Sequence, residues 1–297
     1  MDIPEVSHVD RFLRNLQFEK RYSAHTVRAY ADDLRDFFVW LEKTFGEMAL
    51  AEIGSPMIRS WLADNRDRGL AVKSINRKIS SLKSFFKYLL MTAVLTKTPM
   101  TSVRSPRIPR KLPVYVQESE MEKTVAPAEG FEGATQIMIV EILYATGIRL
   151  SELIGIRETD FDQHTSTLKV LGKGKKERII PVSAALMESL RHYLAEKKAQ
   201  AFTGEDAYLL LTPSGKKLYP KYVYRSVKSY LGQITTLQKK SPHVLRHSFA
   251  THLTNNGAEL NAVKELLGHA SLAATQIYTH NSIEKLKEIH SRAHPKS

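Results

Sequence analysis

The chain has 297 residues, of which 42% are hydrophobic and 25% charged, and this composition excludes a disordered or fibrous protein. Its 44 Lys and Arg residues exceed its 31 Asp and Glu residues, so the net charge is +13; this favours nucleic acid as a partner, although membrane-surface and ribosome-associated proteins share the feature. The lack of cysteine excludes disulfides, thiolate zinc sites and cysteine nucleophiles, and because no secretion signal or apolar run of about 18 residues is present we expect a reducing, cytoplasmic location.

Apolar residues recur at helical spacing through the first hundred residues, which predicts four helices there. Ser23 is predicted to open the second helix, and Ser55, followed by Pro56, is predicted to be the N-cap of the third. The fourth helix has a basic side opposite its apolar one, formed by Lys73, Arg77, Lys78 and Lys87. Lys73 and Arg77 are candidates for contacts with the DNA backbone, but an ordinary solvated helix face has the same pattern.

A proline-rich basic segment follows this helical part. Between residues 102 and 113, three prolines alternate with four basic residues, so the segment cannot be helical and is predicted to be stiffly extended. A chain of this length usually forms two domains. We therefore predict an N-terminal helical domain at residues 1–103, a linker at 104–113 and a second domain at 114–297.

The second domain is predicted to be mainly helical with one hairpin. One helix ends at Gly147, and another begins near Ser151. Residues 167–171 and 178–182 are mostly β-branched or apolar and flank a turn rich in glycine and lysine, which predicts two strands. Further helices are predicted from Ala184 to Lys198 and from Lys221 to Leu231. The predicted fold class is therefore mainly α with a small β-hairpin, that is, α+β.

The stretch from residue 243 to residue 280 holds most of the side chains suited to catalysis. His243 and Arg246 are three residues apart, so they share a face if the segment is a helix. Gly268 is predicted to end a short amphipathic helix, which would present His269 rather than bury it. Tyr278 follows near the end of a last short helix, where a tyrosine considered alone is usually a core residue.

Separate motifs along the chain together resemble the signature of the tyrosine recombinases in both order and spacing. They are Ala145-Thr146-Gly147-Ile148-Arg149-Leu150-Ser151-Glu152-Leu153, Gly172-Lys173-Gly174, His243-Val244-Leu245-Arg246-His247-Ser248-Phe249-Ala250-Thr251-His252, Leu267-Gly268-His269 and Ile277-Tyr278-Thr279-His280. The similarity covers almost the whole chain, including an N-terminal helical domain of the type that clamps DNA, and it is greatest to the Xer recombinases. It implies a site-specific recombinase that cleaves and rejoins duplex DNA through a 3′-phosphotyrosine.

The resemblance implies six catalytic positions, and the residue types suit the reaction. They are Arg149, Lys173, His243, Arg246, His269 and Tyr278. The tyrosine is the nucleophile, the arginine forks and His269 stabilise the non-bridging phosphate oxygens, His243 is the candidate base, and Lys173 protonates the departing 5′ oxygen.

Three further residues near these positions have supporting roles by the same resemblance. Glu152 matches an acidic position that supports the hydrogen bonds of the active site in the family. Lys175 and Lys176 adjoin Lys173 and are expected on the phosphate backbone. Lys173 is chosen over them by its place in the motif, although by itself it is most often a solvated turn lysine.

No cofactor is expected. The segment around Lys173 lacks the residue order of a nucleotide-binding P-loop, and no acidic residue lies between His243 and His247 as a metalloprotease zinc motif requires. A metal bound by His247, His252 and His280 is the alternative, but without a carboxylate or thiol at ligand spacing we expect these histidines to make structural hydrogen bonds.

Duplex DNA is the predicted partner, and no membrane contact is expected. The family implies a tetramer of this chain, or of this chain with a paralogue, held by an apolar C-terminal tail that includes Ile283, Leu286 and Ile289; folding of the tail onto its own domain is the alternative. The similarity to Xer recombinases also implies chromosome dimer resolution or a related Xer-type recombination, and it leaves activation by a DNA translocase open. Two rival functions are relaxation of supercoils like that of a type IB topoisomerase and DNA binding without catalysis, and the six filled positions argue against the second.

Overall fold

The structure, a computed structural model, describes residues 4–108, 114–123, 129–172, 177–202, 207–268 and 289–295. The chain divides into two compact units, Met1–Lys111 and Leu112–Ser297, and each has a hydrophobic core of its own. Within the described ranges, no helix is both long enough and apolar enough to cross a membrane.

The first unit is formed by four long helices around an aromatic core. They are α1 (Pro4–Arg14), α2 (Ala24–Phe45), α3 (Ser55–Asp67) and α4 (Val72–Met91), with a π-helical turn at Asn15–Glu19 and a 3₁₀ turn at Leu50–Glu52. Phe37 of α2 meets Trp61 of α3 edge to face, with their ring centroids 5.1 Å apart. Such rings bury large apolar areas and so hold the helices together.

Two helix starts in this unit test the predicted caps. Ser23 is the N-cap of α2, and its side chain accepts a hydrogen bond from the backbone N–H of Thr26, so that prediction is confirmed. The prediction for α3 is wrong by one residue, because Gly54 is the N-cap and Ser55 already lies in the helix. The Ser55 hydroxyl instead donates to the carbonyl of Pro99, which makes it a tertiary contact.

The predicted basic side of α4 is partly wrong. Lys78 is 6% exposed, its Nζ lies 2.6 Å from Asp36 Oδ2, and it sits 4.9 Å from the centroid of the Trp61 ring. Lys78 is therefore part of the interior. Lys73 and Arg77 are both exposed, and Arg77 donates to the buried carboxylate of Asp33.

The second unit has one buried central helix with further helices around it. Within the described ranges, its helices include α5 (Glu118–Met121), α6 (Gly130–Thr146), α7 (Leu150–Gly155), α8 (Ala184–Ala199), α9 (Pro220–Ile234), α10 (Pro242–Asn255) and α11 (Leu260–Leu267). The central helix is α6, which contacts α8, α9 and α10. It ends at Gly147, a left-handed C-cap, as predicted.

A small antiparallel sheet completes this unit. Its strands, in the order β1-β2-β3, are Phe161–Asp162, Thr167–Leu171 and Glu177–Pro181, and Val170 pairs with Arg178. The predicted hairpin corresponds to β2 and β3, with β3 beginning one residue earlier than predicted. The two-residue strand β1 was not predicted. Together with the helices, this sheet confirms the fold class as mainly α with a small β component.

The described part of the C-terminal tail packs on its own unit. Residues 289–293 are helical, and His290 Nε2 bonds to the carbonyl of Ala145 at 2.8 Å while His294 Nε2 bonds to that of Tyr144 at 3.2 Å. These carbonyls belong to the last turn of α6, where no further helical N–H is available. The two histidines therefore supply hydrogen-bond partners for two carbonyl groups at the end of α6, just before Gly147.

Candidate active site

The site lies in the second unit, where six of the residues singled out in the sequence are described. They are Arg149, Glu152, His243, Arg246, His247 and His252. The other predicted residues lie outside the described ranges; they are Lys173, Lys175, Lys176, His269, Tyr278 and His280.

Arg149 is held at the start of α7 by Glu152. The backbone N–H of Arg149, the N-cap, donates to Glu152 Oε2 at 2.7 Å, and its Nη1 donates to Glu152 Oε1 at 2.9 Å. The left-handed turn at Gly147 delivers the chain from α6 to this position. The arginine side chain nevertheless stays 34% exposed, so part of its guanidinium is available to a ligand.

Arg246 reaches the same region from α10. One guanidinium nitrogen donates to the carbonyl of Gly147, and Nη2 donates to that of Leu267 at 2.7 Å. Gly147 thus helps to position both arginines: its turn directs the chain towards Arg149, and its carbonyl accepts a hydrogen bond from Arg246.

A third arginine, Arg178 of β3, contacts Glu152 and the end of α11. Its Nη1 and Nη2 donate to Glu152 Oε1 and Oε2 at 3.0 and 2.9 Å, and its Nε donates to the carbonyl of Leu266 at 3.0 Å. Both side chains of this bidentate pair are at most 5% exposed. Sequence reasoning did not select Arg178.

The three arginines meet at the C-terminal end of α11. Arg178, Arg246 and Arg149 donate to three successive carbonyls, those of Leu266, Leu267 and Gly268. Because successive residues are only about 3.8 Å apart, these guanidinium groups are close neighbours. Helix α11 ends with Gly268 in the left-handed conformation, as predicted, and the next residue in the sequence is His269.

The cluster carries three positive charges and one negative charge. Burial, followed by the nearby charge of Arg149, lowers the pKa of Arg246 to about 10. Burial raises the pKa of Glu152, but hydrogen bonds from Arg178 and Arg149 outweigh it, so this pKa lies below its usual value. The excess positive charge of this cluster attracts an anion such as a phosphate.

His243 lies in the first turn of α10, one turn before Arg246. Its side chain is exposed, and among the described residues no hydrogen-bond partner is found for it. Its position leaves the imidazole available to a ligand bound near the arginines.

The histidine later in α10 has a structural place. His252 Nε2 bonds to the carbonyl of Val116 at 2.9 Å, so this nitrogen carries the proton, and Nδ1 accepts from the hydroxyl of Tyr144 at 2.8 Å. The predicted structural hydrogen-bonding role is thereby confirmed for His252. Within the described ranges, no group of three histidine or carboxylate side chains is arranged to hold a metal ion.

Comparison with protein families assigns both units. Residues 115–285 match the phage integrase family, and residues 9–92 match the N-terminal SAM-like domain of phage integrases. The tyrosine recombinase XerC of Chlorobaculum tepidum is 34% identical over 324 aligned positions, covering all of this chain and 96% of the relative. XerC of Thermodesulfovibrio yellowstonii is 36% identical, covering 98% of this chain and 97% of the relative.

Solved structures of similar fold include DNA complexes. The XerH site-specific recombinase bound to difH substrate, in a pre-cleavage complex, is 25% identical with a TM-score of 0.69, covering 96% of this chain and 84% of that one. Its post-cleavage complex on a palindromic difH substrate gives a TM-score of 0.73 at 24% identity, a likeness of fold.

Proposed function

Because the chain belongs to the phage integrase family and is a site-specific tyrosine recombinase, we propose that it cleaves and rejoins duplex DNA through a 3′-phosphotyrosine formed by Tyr278. The observation that carries the proposal is the pair of guanidinium groups, those of Arg149 and Arg246, gathered at one helix end from positions 97 residues apart in the numbering. Attack on a phosphodiester passes through a pentacoordinate state with extra negative charge on the non-bridging oxygens. Two fixed arginine forks stabilise that charge.

The remaining roles follow from the chemistry of the step. The Tyr278 oxygen bonds to phosphorus as the bond to the 5′ oxygen breaks; the phenol proton passes to His243, and the 5′ oxygen receives a proton from Lys173. His269 donates to a non-bridging oxygen beside the arginines. The phosphotyrosine keeps the free energy of the broken bond. The 5′ hydroxyl of a partner strand can therefore attack it, release the tyrosine and rejoin the backbone without a nucleotide cofactor.

The substrate is proposed to be a two-fold DNA site bound by several copies of this chain. The relatives named XerC span its whole length, and the XerH complexes hold a substrate described as palindromic in one case. We infer exchange of strands in a tetramer through a Holliday junction, serving chromosome dimer resolution or a related recombination. A paralogue as second subunit, activation by a translocase and a cytoplasmic location with the nucleoid belong to the same proposal.

The C-terminal tail is the proposed contact between subunits in that tetramer. Its described part is bound to the end of α6 through His290 and His294. Exchange of the tail between copies would replace these bonds by the same bonds made to a neighbour, at little cost in free energy.

Covalent trapping tests the proposal. Duplexes that bind the protein are selected from a random pool, and the recovered site is rebuilt with a nick beside the cleavage position, so that the released fragment diffuses away. We expect a covalent protein–DNA adduct with the wild-type chain and none with Tyr278→Phe, which keeps the ring but lacks the nucleophile. Failure of the wild-type chain to form an adduct on its selected site would contradict the proposal.

A second measurement separates recombination from simple relaxation. A supercoiled plasmid with two copies of the selected site should yield recombinant products, and a plasmid without the site should be relaxed weakly. Efficient relaxation without recombination would instead favour an activity like that of a type IB topoisomerase.

A further inference from the structure

Arg178 occupies a core position of the sheet that an apolar residue would ordinarily fill. It lies on β3, where Arg178 and Ile180 are buried while Glu177 is exposed, so the arginine faces inward with the isoleucine. Its side chain is 5% exposed. Burial of an unpaired charge would cost several kcal/mol, so the arginine requires partners that satisfy it fully.

The hydrogen bonds of Arg178 all remain inside the protein. Nη1 and Nη2 grip the two oxygens of Glu152, and Nε donates to the Leu266 carbonyl. Each of its three nitrogens donates to a protein oxygen and the side chain is only 5% exposed, so little of this guanidinium is accessible to a ligand. Arg178 therefore does not contact the phosphate itself.

Glu152 is shared between Arg178 and Arg149. Oε1 accepts from Nη1 of both arginines, and Oε2 accepts from Nη2 of Arg178 and from the backbone N–H of Arg149. Two parallel bonds from a planar guanidinium fix the plane of a carboxylate, which a single bond would leave free to rotate. The orientation of Arg149 thus depends on that of Glu152, and the orientation of Glu152 depends on Arg178.

We propose that Arg178 is a positioning residue that acts through Glu152 to hold the guanidinium of Arg149 against the non-bridging oxygens of the scissile phosphate. The inference rests on the proposed function, because it assigns Arg149 to that phosphate. The competing explanation is a purely structural one, in which Arg178 merely ties β3 to the end of α11 through the Leu266 carbonyl.

The test compares two substrates rather than two stabilities. One is the nicked suicide duplex with an ordinary scissile phosphate, and the other carries a methylphosphonate there, which replaces one charged non-bridging oxygen by a methyl group. The variant Arg178→Lys keeps the buried positive charge but loses the bidentate fork. We expect it to slow adduct formation on the phosphate duplex about 100-fold, since displacement of a catalytic group by about 1 Å has that effect.

The loss should be much smaller on the methylphosphonate duplex, about tenfold or less, because the oxygen charge that a displaced guanidinium fails to stabilise has been removed. The double variant Arg178→Met with Glu152→Gln removes both buried charges together and should show the same dependence on the substrate. This second variant keeps the test valid if the lysine variant folds poorly.

Lys197→Met provides the matched control. Lys197 of α8 is another buried cation of the second unit, and it pairs with Glu158 and donates to the carbonyl of Tyr208. Its variant is expected to lower the melting temperature and to leave the ratio of rates on the two substrates as in the wild type. A loss of the same size on both substrates for Arg178→Lys would overturn the inference and favour the structural explanation. Absence of a wild-type adduct would instead contradict the proposed function.

Discussion

Gly147 is the residue on which the geometry of the site places the tightest demand. Its φ of +61° lies in the left-handed region, and an added Cβ would come within 2.3 Å of Phe249 Cδ1. The strained conformation and the displaced ring together should reduce the free energy of unfolding of Gly147→Ala by about 3 kcal/mol. Urea denaturation of the purified variant measures this loss.

A substitution elsewhere gives the control for Gly147→Ala. Gly232 lies in α9, and a Cβ there would have no heavy atom within 4 Å. Gly232→Ala should leave stability unchanged or raise it by up to about 1 kcal/mol, since alanine favours a helix. Equal stability of Gly147→Ala and the wild type would show that α6 and α10 can separate without cost, contrary to the packing described above.

The sequence predicted the cluster through its motifs but missed the residue beneath it. Arg149, Arg246 and Glu152 were selected because they match family positions. Arg178 belongs to no such motif and was counted only as the first residue of a strand. Its alternation with Ile180 was the available signal, because it puts a charged residue on the buried side of β3, where a partner becomes obligatory.

Lys78 shows the converse error. It was placed on the basic side of α4, opposite the apolar residues, yet it is buried against Trp61 and Asp36. The helical period gives the direction of each side chain around α4 but does not show how far α2 and α3 cover that face of the helix. Only the tertiary packing decides that.

The described end of the tail is bound to α6 through His290 and His294. Burial lowers the pKa of His290. Burial also lowers the pKa of His252, against the opposing effect of the charge of Glu118. A histidine whose folded pKa is below its unfolded value, 6.5, contributes stability that is fully present above pH 6.5 and is lost as pH falls towards the folded pKa. The unfolded chain takes up the proton first.

We therefore expect the melting temperature of the full chain to rise as pH increases from about 5 to about 7, and to rise less steeply in His290→Gln. Thermal unfolding followed by circular dichroism at several pH values measures both slopes. His192→Gln is the control, because the His192 side chain is 78% exposed and should not affect the slope. An identical pH dependence in His290→Gln and the wild type would exclude a contribution of this histidine.

Long helices were predicted more accurately than short strands for a physical reason. The helices from Ala184 and from Lys221 were located to within a few residues because each spans several turns of the period. Strand β1, Phe161–Asp162, has two residues and so no period to detect. It exists because the edge of β2 supplies hydrogen-bond partners, which is information from the fold and not from the local sequence.

The two units have separate cores, and the chain that contains both has an excess of positive charge. The hydrophobic cluster of the first unit is built from residues up to Val103, and that of the second from residues beginning at Val116. The contact boundary lies between Lys111 and Leu112. The net charge of +13 belongs to the chain as a whole and predicts that DNA affinity falls steeply as salt is added.

The salt dependence can be used to find a single backbone contact. The logarithm of the binding constant should fall linearly with the logarithm of the salt concentration, with a slope of about −0.9 for each phosphate neutralised. Lys73 and Arg77 are the two candidates on α4, and both are exposed, but Arg77 is bound to Asp33, so Lys73 is tested first. Lys73→Gln should therefore make the slope shallower by about one, measured by fluorescence anisotropy on a labelled duplex carrying the selected site.

The variant Lys43→Gln is the control that distinguishes a direct phosphate contact of Lys73 from the effect of net charge. Lys43 is an exposed lysine in the last turn of α2, so the substitution changes the net charge by the same amount. If Lys73 touches a phosphate, its variant alone loses a counterion-release contribution, whereas Lys43→Gln weakens binding slightly and leaves the slope unchanged. Equal slopes for both variants would remove Lys73 from the DNA interface and attribute its contribution to net charge alone.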